Sequence, residues 1–300
     1  MNGELLCLLP GEDEVRTFAR RDYDIRPWGG EGAGLMRVAG ESTSFEEYAG
    51  MVNSLKSRFT DTYVKAVLCR IICGSFRNRL ETPEDIKEIG MAVMRPSETS
   101  LGFFFGDAQS GRWAGMTPEL LLRREGDGLG TQALAGTRLA GMPEPWSEKN
   151  LTEHRYVVDD MLGRLSAYHC TTDSGTLRHG VVEHLCTRIH IDSEIFNCDT
   201  EMFLRIADAL HPTPAIGGLP RDKALEDIAT LERVPRNYYG GVMYLREPEL
   251  AYVILRCVHF DNEKWCIYTG SGITAASDAR KEWDETREKA QPLLEIMKRF

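Results

Sequence analysis

The chain predicts an α+β fold, and three observations carry that reading. Apolar runs at Tyr239 to Leu245, Ala251 to Phe260 and Trp265 to Tyr268 follow one another with short turns, the spacing of antiparallel strands. Helical periodicities fall between strands at irregular intervals, without the strict alternation of a parallel sheet. The 300 residues are 42% hydrophobic and 27% charged, enough to build the core of one globular domain over 1–300 and unlike a disordered or coiled-coil chain.

Residues 1–41 carry a short apolar start and a Gly29-Gly30 and Gly32 cluster, with no clear period. Ser44 with Glu47 then forms a capping box ahead of Phe45, Tyr48, Val52, Leu55 and Phe59, which recur at helical spacing. Tyr63 to Cys73 reads as a buried strand interrupted by Lys65, and further strands are expected at Leu101 to Phe105 and Glu119 to Arg124. Ser147 to Tyr168 reads as a helix because Val157, Val158, Met161, Leu162 and Leu165 share one face. Helices are also expected at Glu201 to Leu210, Arg221 to Leu231 and Asp278 to Lys298. No fixed-period repeat or linker interrupts the sequence.

Charge excludes some partners. Asp and Glu number 46 against 36 Lys plus Arg, a net charge of -10 with no basic tract to follow a nucleic-acid backbone. The longest apolar runs, such as Leu5 to Leu9, are too short to span a bilayer, so no membrane partner is expected. Glu4 stands where a secretory signal would be basic, and the start offers no cleavage site; this predicts a cytoplasmic protein. Eight cysteines without a CxxC pair read as reduced, buried thiols. Cys186 lies between His184 and His190, but a second cluster at zinc spacing is missing.

Several residues could carry chemistry. Lys65 sits in a run suited to a sheet core, either as a partly desolvated base or as an edge lysine reaching to water. Glu119, at the mouth of Leu120-Leu121-Leu122, is either a protonated general acid or a surface carboxylate. Glu282, Glu285 and Lys289 share one face of the last helix, and Glu153 begins another. Carboxylates from two helices could share Mg2+, which takes oxygen ligands; the alternative is a solvated stripe with a Glu285–Lys289 pair. Gly270-Ser271-Gly272 and Gly240-Gly241 permit close backbone approach to a ligand, or are plain turns. Arg256, in AYVILRCV, is a cation in a buried strand and needs an anion.

The order of motifs resembles the chorismate-binding enzyme family of isochorismate, anthranilate, aminodeoxychorismate and salicylate synthases. The likeness runs from about residue 60 to 300, after a shortened portion 1–59. It rests on KAVLCR (65–70), GMTPELLLR (115–123), ALAGTR (133–138), EKNLTEH (148–154) and HPTPAIGGLP (211–220). It continues through LERVPRNYYGG (231–241), ILR (254–256), TGSGIT (269–274) and SDARKEWDETREK (277–289). Met116-Thr117, Leu139-Ala140 and Ser271 depart from the usual pattern without removing a proposed catalytic group.

The resemblance implies antiparallel sheets packed as a sandwich with helices outside, and within the family it is nearest the isochorismate type. Lys65 falls where water-using members keep a lysine and ammonia-using members carry glutamine, and Ala215 where pyruvate-releasing members show Thr or Ser. By this likeness Lys65 is the base that directs water to C2 of chorismate, and Glu119 the acid that protonates the C4 hydroxyl. Glu153 and Glu285, with Glu282, would hold Mg2+ and through it the ring carboxylate beside Gly270, Ser271, Gly272 and Lys289. Arg256 and Tyr239 would grip the enolpyruvyl carboxylate, while Gly136 and Thr137 line the pocket. The implied enzyme is an isochorismate synthase of menaquinone or siderophore synthesis, a monomer or weak dimer that needs no glutamine amidotransferase subunit. A salicylate synthase, or a chorismate-binding module without turnover, is the alternative.

Overall fold

The structure is a computed structural model that describes residues 4–29, 36–107, 111–126, 128–179, 182–192 and 199–300. Gly30, Gly32 and Cys198 lie outside the described residues. Along the chain run β1 (Leu5–Leu8), β2 (Arg16–Phe18), β3 (Tyr23–Arg26), α1 (Phe45–Lys56), β4 (Lys65–Ser75), α2 (Pro83–Val93), β5 (Leu101–Asp107) and β6 (Gly111–Thr117). Then come β7 (Leu120–Glu125), β8 (Gly128–Leu139), α3 (Glu148–Arg164), β9 (Cys170–His179), β10 (Val182–Ile191), α4 (Thr200–Leu210), β11 (Gly218–Leu219) and α5 (Arg221–Leu231). The chain closes with β12 (Val242–Leu245), β13 (Leu250–Val253), β14 (Cys257–Phe260), β15 (Lys264–Ile273) and α6 (Ala279–Met297).

Two antiparallel sheets result. One has the order β11-β4-β15-β14-β6-β5-β1-β2, the other β3-β12-β13-β7-β8-β10-β9. Strand alternation divides side chains between faces, as in β5. Phe103 and Phe105 join Trp113, Met243 and Tyr252 in a core between the sheets, while Phe104 points outward to Ile89, Val93 and Leu293 of α2 and α6. α3 and α4 cover the other sheet through Val157, Met161, Phe203 and Leu210. The layering is therefore helix, sheet, sheet, helix, the sandwich with outer helices that the sequence likeness implied. Among the described residues no helix is long and apolar enough to cross a membrane.

The Ser44–Glu47 capping box forms as read, with Ser44 Oγ accepting from the Glu47 amide. A second box, Thr82 with Asp85, starts α2, a helix the sequence reading passed over. Three sequence boundaries are corrected. Ala251 to Phe260 is two strands in different sheets, because the chain leaves one sheet after Val253 and enters the other at Cys257. The segment begun at Tyr239 becomes a strand only at Val242, and the strand read as ending at Tyr268 runs on to Ile273. The thiol reading is corrected as well: Cys73 and Cys266, directly opposed on β4 and β15, form a disulfide. Cys7, Cys69, Cys186 and Cys257 are buried free thiols, and Cys170 is a half-buried one.

Candidate active site

The site forms where the chain crosses between sheets. β6 passes to β7 through Pro118-Glu119, and β13 passes to β14 through Ile254-Leu255-Arg256. The crossings are laced together: Thr117 Oγ1 donates to Val253 O (2.5 Å), the Val253 amide to Glu119 O (2.9 Å), and the Met116 amide to Arg256 O (3.2 Å). Arg256 takes a left-handed backbone at φ 47°, uncommon for a residue with a Cβ. The apolar run around it predicts one strand, whereas Arg256 is the corner between two. Gly240 and Gly241 meet the same corner, exchanging backbone hydrogen bonds with Ile254.

Because β14 stops at the Cys257–Tyr268 pair, residues 269–273 of β15 keep β4 on one side and no strand on the other among the described residues. Gly270, Ser271 and Gly272 thus lie inside a strand with an open edge, not in a turn beyond it. A cavity opens there, lined by Lys65, Glu119, Gly136, Thr137, Glu153 and Ala215. Tyr239, Arg256, Gly270, Ser271, Gly272, Glu285 and Lys289 complete the predicted residues on its wall. Of the fourteen site residues read from sequence, Glu282 alone is not on that wall; it is buried behind it.

Local packing explains each placement. Lys65 is 1% exposed, because the two-residue strand β11 covers the edge of β4 and removes the route to water that an edge lysine would use. Its Nζ lies 2.9 Å from Glu153 of α3. A Cβ on Gly272 would stand 2.4 Å from Glu153 Oε1, so glycine is what lets this pair seat against β15. Gly136, at φ 76°, brings β8 against α3, where Asn150 Nδ2 donates to Thr137 O (3.5 Å). The Ser271 hydroxyl shares a 2.7 Å hydrogen bond with the Tyr48 hydroxyl of α1.

The charges divide into pairs and exceptions. Lys65 holds Glu153, Lys289 holds Glu285 at 2.7 Å and also reaches Gly270 O at 3.2 Å, and Lys149 holds Glu282 at 2.6 Å. Burial works to raise the Glu285 pKa, but Lys289 prevails and the net shift is downward. Glu119, 5% exposed, has no carboxyl hydrogen bond or ion pair among the described residues. Desolvation pushes its pKa up to about 8 against the pull of Lys65, Arg256 and Lys289, so it carries a proton at neutrality. The Arg256 guanidinium likewise lacks a hydrogen bond or ion pair there, and burial lowers its pKa.

Carboxylate oxygens from two helices suit a hard cation such as Mg2+, and Glu282 Oε2 is a buried oxygen with no hydrogen-bond partner. Among the described residues, however, no three His, Cys, Asp or Glu side chains stand together as a ready cage. Glu153, Glu282 and Glu285 are each paired with a lysine instead. The donor set fits such an ion in its chemistry.

Sequence reasoning missed Lys149, Asn150 and His184. Lys149 and Asn150 lie within the EKNLTEH motif, one turn ahead of Glu153 on α3, a spacing that could have flagged them. His184 shares a 2.9 Å hydrogen bond with Thr137 across the β8–β10 ladder, a pairing that only the register reveals.

A family model described as chorismate binding enzyme matches residues 35–298. The isochorismate synthase MenF of Pasteurella multocida (strain Pm70) is 29% identical over 214 residues, covering 65% of this chain and 49% of that protein. Anthranilate synthase component 1 of Neisseria gonorrhoeae (strain ATCC 700825 / FA 1090) is 27% identical over 270 residues, covering 83% and 52%. The chain therefore spans about half the length of these curated relatives. The solved structure of MenF, the menaquinone-specific isochorismate synthase from Escherichia coli, superposes with a TM-score of 0.73 at 24% identity over 89% of this chain and 64% of that one, a shared fold.

Proposed function

The chain belongs to the chorismate-binding enzyme family, and we propose that it converts chorismate to isochorismate in a Mg2+-dependent reaction. One observation carries this reading: a buried lysine and a buried glutamate that keeps its proton at neutrality face the same cavity. An exchange of one hydroxyl for another needs one group to take a proton from water and another to give a proton to the departing oxygen.

Lys65 takes a proton from water as the water oxygen bonds to C2 of the ring. The double bonds shift, the C4–O bond breaks, and the Glu119 proton passes to the departing hydroxyl, which leaves as water. Arg256 and Tyr239 hold the enolpyruvyl carboxylate, and the open edge of β15 at Gly270 to Gly272, with Lys289, receives the ring carboxylate. Bound Mg2+, on Glu153 and Glu285 with Glu282 behind them, would neutralise that carboxylate and fix the ring. Fixed geometry makes the displacement effectively intramolecular, which lowers its barrier. Lys65 favours water over ammonia as nucleophile, and Ala215 favours retention of the enolpyruvyl group. The enzyme is proposed to work in the cytoplasm without an amidotransferase subunit.

Incubation with chorismate and Mg2+ in 18O-labelled water tests this, with product mass and pyruvate both measured. An isomer of chorismate carrying one heavy oxygen, with no pyruvate above a no-enzyme control, is the expected result. Salicylate with pyruvate would assign a salicylate synthase, anthranilate on adding ammonia the anthranilate reaction, and no turnover a binding module.

A further inference from the structure

A second cavity of about 540 Å3 lies beside the first and shares two wall residues with it, Arg256 and Lys289. Its floor is apolar, with Val93, Met116, Leu293 and Ile296. Its other charged lining residues are Arg95, Arg178 and Glu98, so four cations face one acid. Arg95 is exposed, follows α2, and its guanidinium makes no hydrogen bond or ion pair among the described residues. This concentration of positive charge sits on a chain of net charge -10, whose overall field repels an anion.

We propose that this cavity is the vestibule through which a substrate dianion reaches the reaction site, with Arg95 as its outer collecting residue and Arg178 in support. The inference rests on the dicarboxylate substrate proposed above. An apolar floor with a cationic rim suits a hydrocarbon ring bearing two carboxylates. Such a molecule moves from Arg95 and Arg178 inward to Arg256 and Lys289, which belong to both chambers. The arrangement resolves an electrostatic conflict: the protein as a whole is acidic, yet its ligand is a dianion, so the approach must be locally inverted in sign.

The test uses R95Q and R95E, with R178Q beside them, assayed for chorismate turnover at about 10 mM and about 200 mM salt, where the screening length falls from about 30 Å to below about 10 Å. Coulomb's law for a dianion passing about 10 Å from one charge gives an effect of about fourfold in low salt. In R95Q kcat/KM should fall by that factor with kcat unchanged, R95E should fall further, and the variants should approach wild type in high salt. A packing defect would not vanish with salt. Equilibrium dialysis of chorismate against the same proteins reads binding without turnover. Wild-type-like KM and dissociation constant for R95E in low salt would overturn the vestibule. Salt-dependent binding through Arg95 without isochorismate formation would leave the vestibule standing and remove the proposed reaction.

Discussion

Replacing Glu119 by glutamine should make the protein more stable and nearly inactive. The carboxyl, whose ordinary pKa is 4.5, is raised to about 8 by desolvation in the folded chain. Between those values the folded state holds a proton that the unfolded state has released, so stability falls as pH rises from about 4.5 to about 8. At pH 7 the penalty is about 1.4 kcal/mol for each of the roughly 2.5 units above the unfolded value, or about 3 kcal/mol. Glutamine keeps the shape without an ionisable group, so Glu119→Gln should gain most of that at pH 7 and nothing below about pH 4. Urea unfolding of both proteins across this range measures the difference. Turnover should drop by about 10²-fold to 10⁴-fold, the range for loss of a general acid. A stability gap independent of pH would refute the burial argument. Turnover within a few-fold of wild type would refute the acid.

Three further outcomes are expected. Lys65→Ala should keep chorismate binding in the presence of Mg2+ and lose turnover by about 10²-fold or more, and near-normal activity would exclude Lys65 as the base. Glu285→Gln should raise the Mg2+ concentration needed for half-maximal activity, which a metal titration reads directly; an unchanged titration would remove Glu285 from the metal set. Gly272→Ala places a Cβ 2.4 Å from Glu153 Oε1 and 3.0 Å from Lys65 Cε. It should cut activity by displacing the pair while thermal unfolding shifts little, and full activity would show that the pair has room to move.

Much of the fold was legible because its signals are local. The Ser44 cap, the apolar face of α3 and the long helix α6 each announce themselves within a few turns of sequence. What escaped is either polar or non-local. β9, CTTDSGTLRH, is an exposed edge strand with almost no apolar pattern to read. The change of sheet inside AYVILRCV leaves no mark either, since the residues on both sides are equally apolar and the break is a backbone angle at Arg256. The pairing of Cys73 with Cys266 depends on the register of β4 against β15, 193 residues apart in sequence. Within the site, residue types and order were readable, whereas their convergence on one cavity follows from two chain crossings that no spacing rule encodes.

The charged groups of that cavity now separate by what each still lacks. A buried charge is tolerated when it is paired, and Lys65, Lys289, Glu153 and Glu285 meet that condition among themselves. Such pairs answer each other's charge and by themselves say little about a ligand. Glu119 and Arg256 do not meet it, and they fail in complementary ways. Glu119 escapes the penalty by holding a proton, which makes it a donor at the pH where its relatives in water would be ionised. Arg256 has no such escape at neutral pH, and it stands on a strained corner and lines both chambers. Among the described residues no hydrogen bond or ion pair answers its guanidinium, and an anion is the partner its charge suits. A proton donor and an unanswered cation, fixed together by hydrogen bonds between the two crossings, suit the acid with a departing hydroxyl proposed above. A bystander cleft would have no reason to hold either group unpaired.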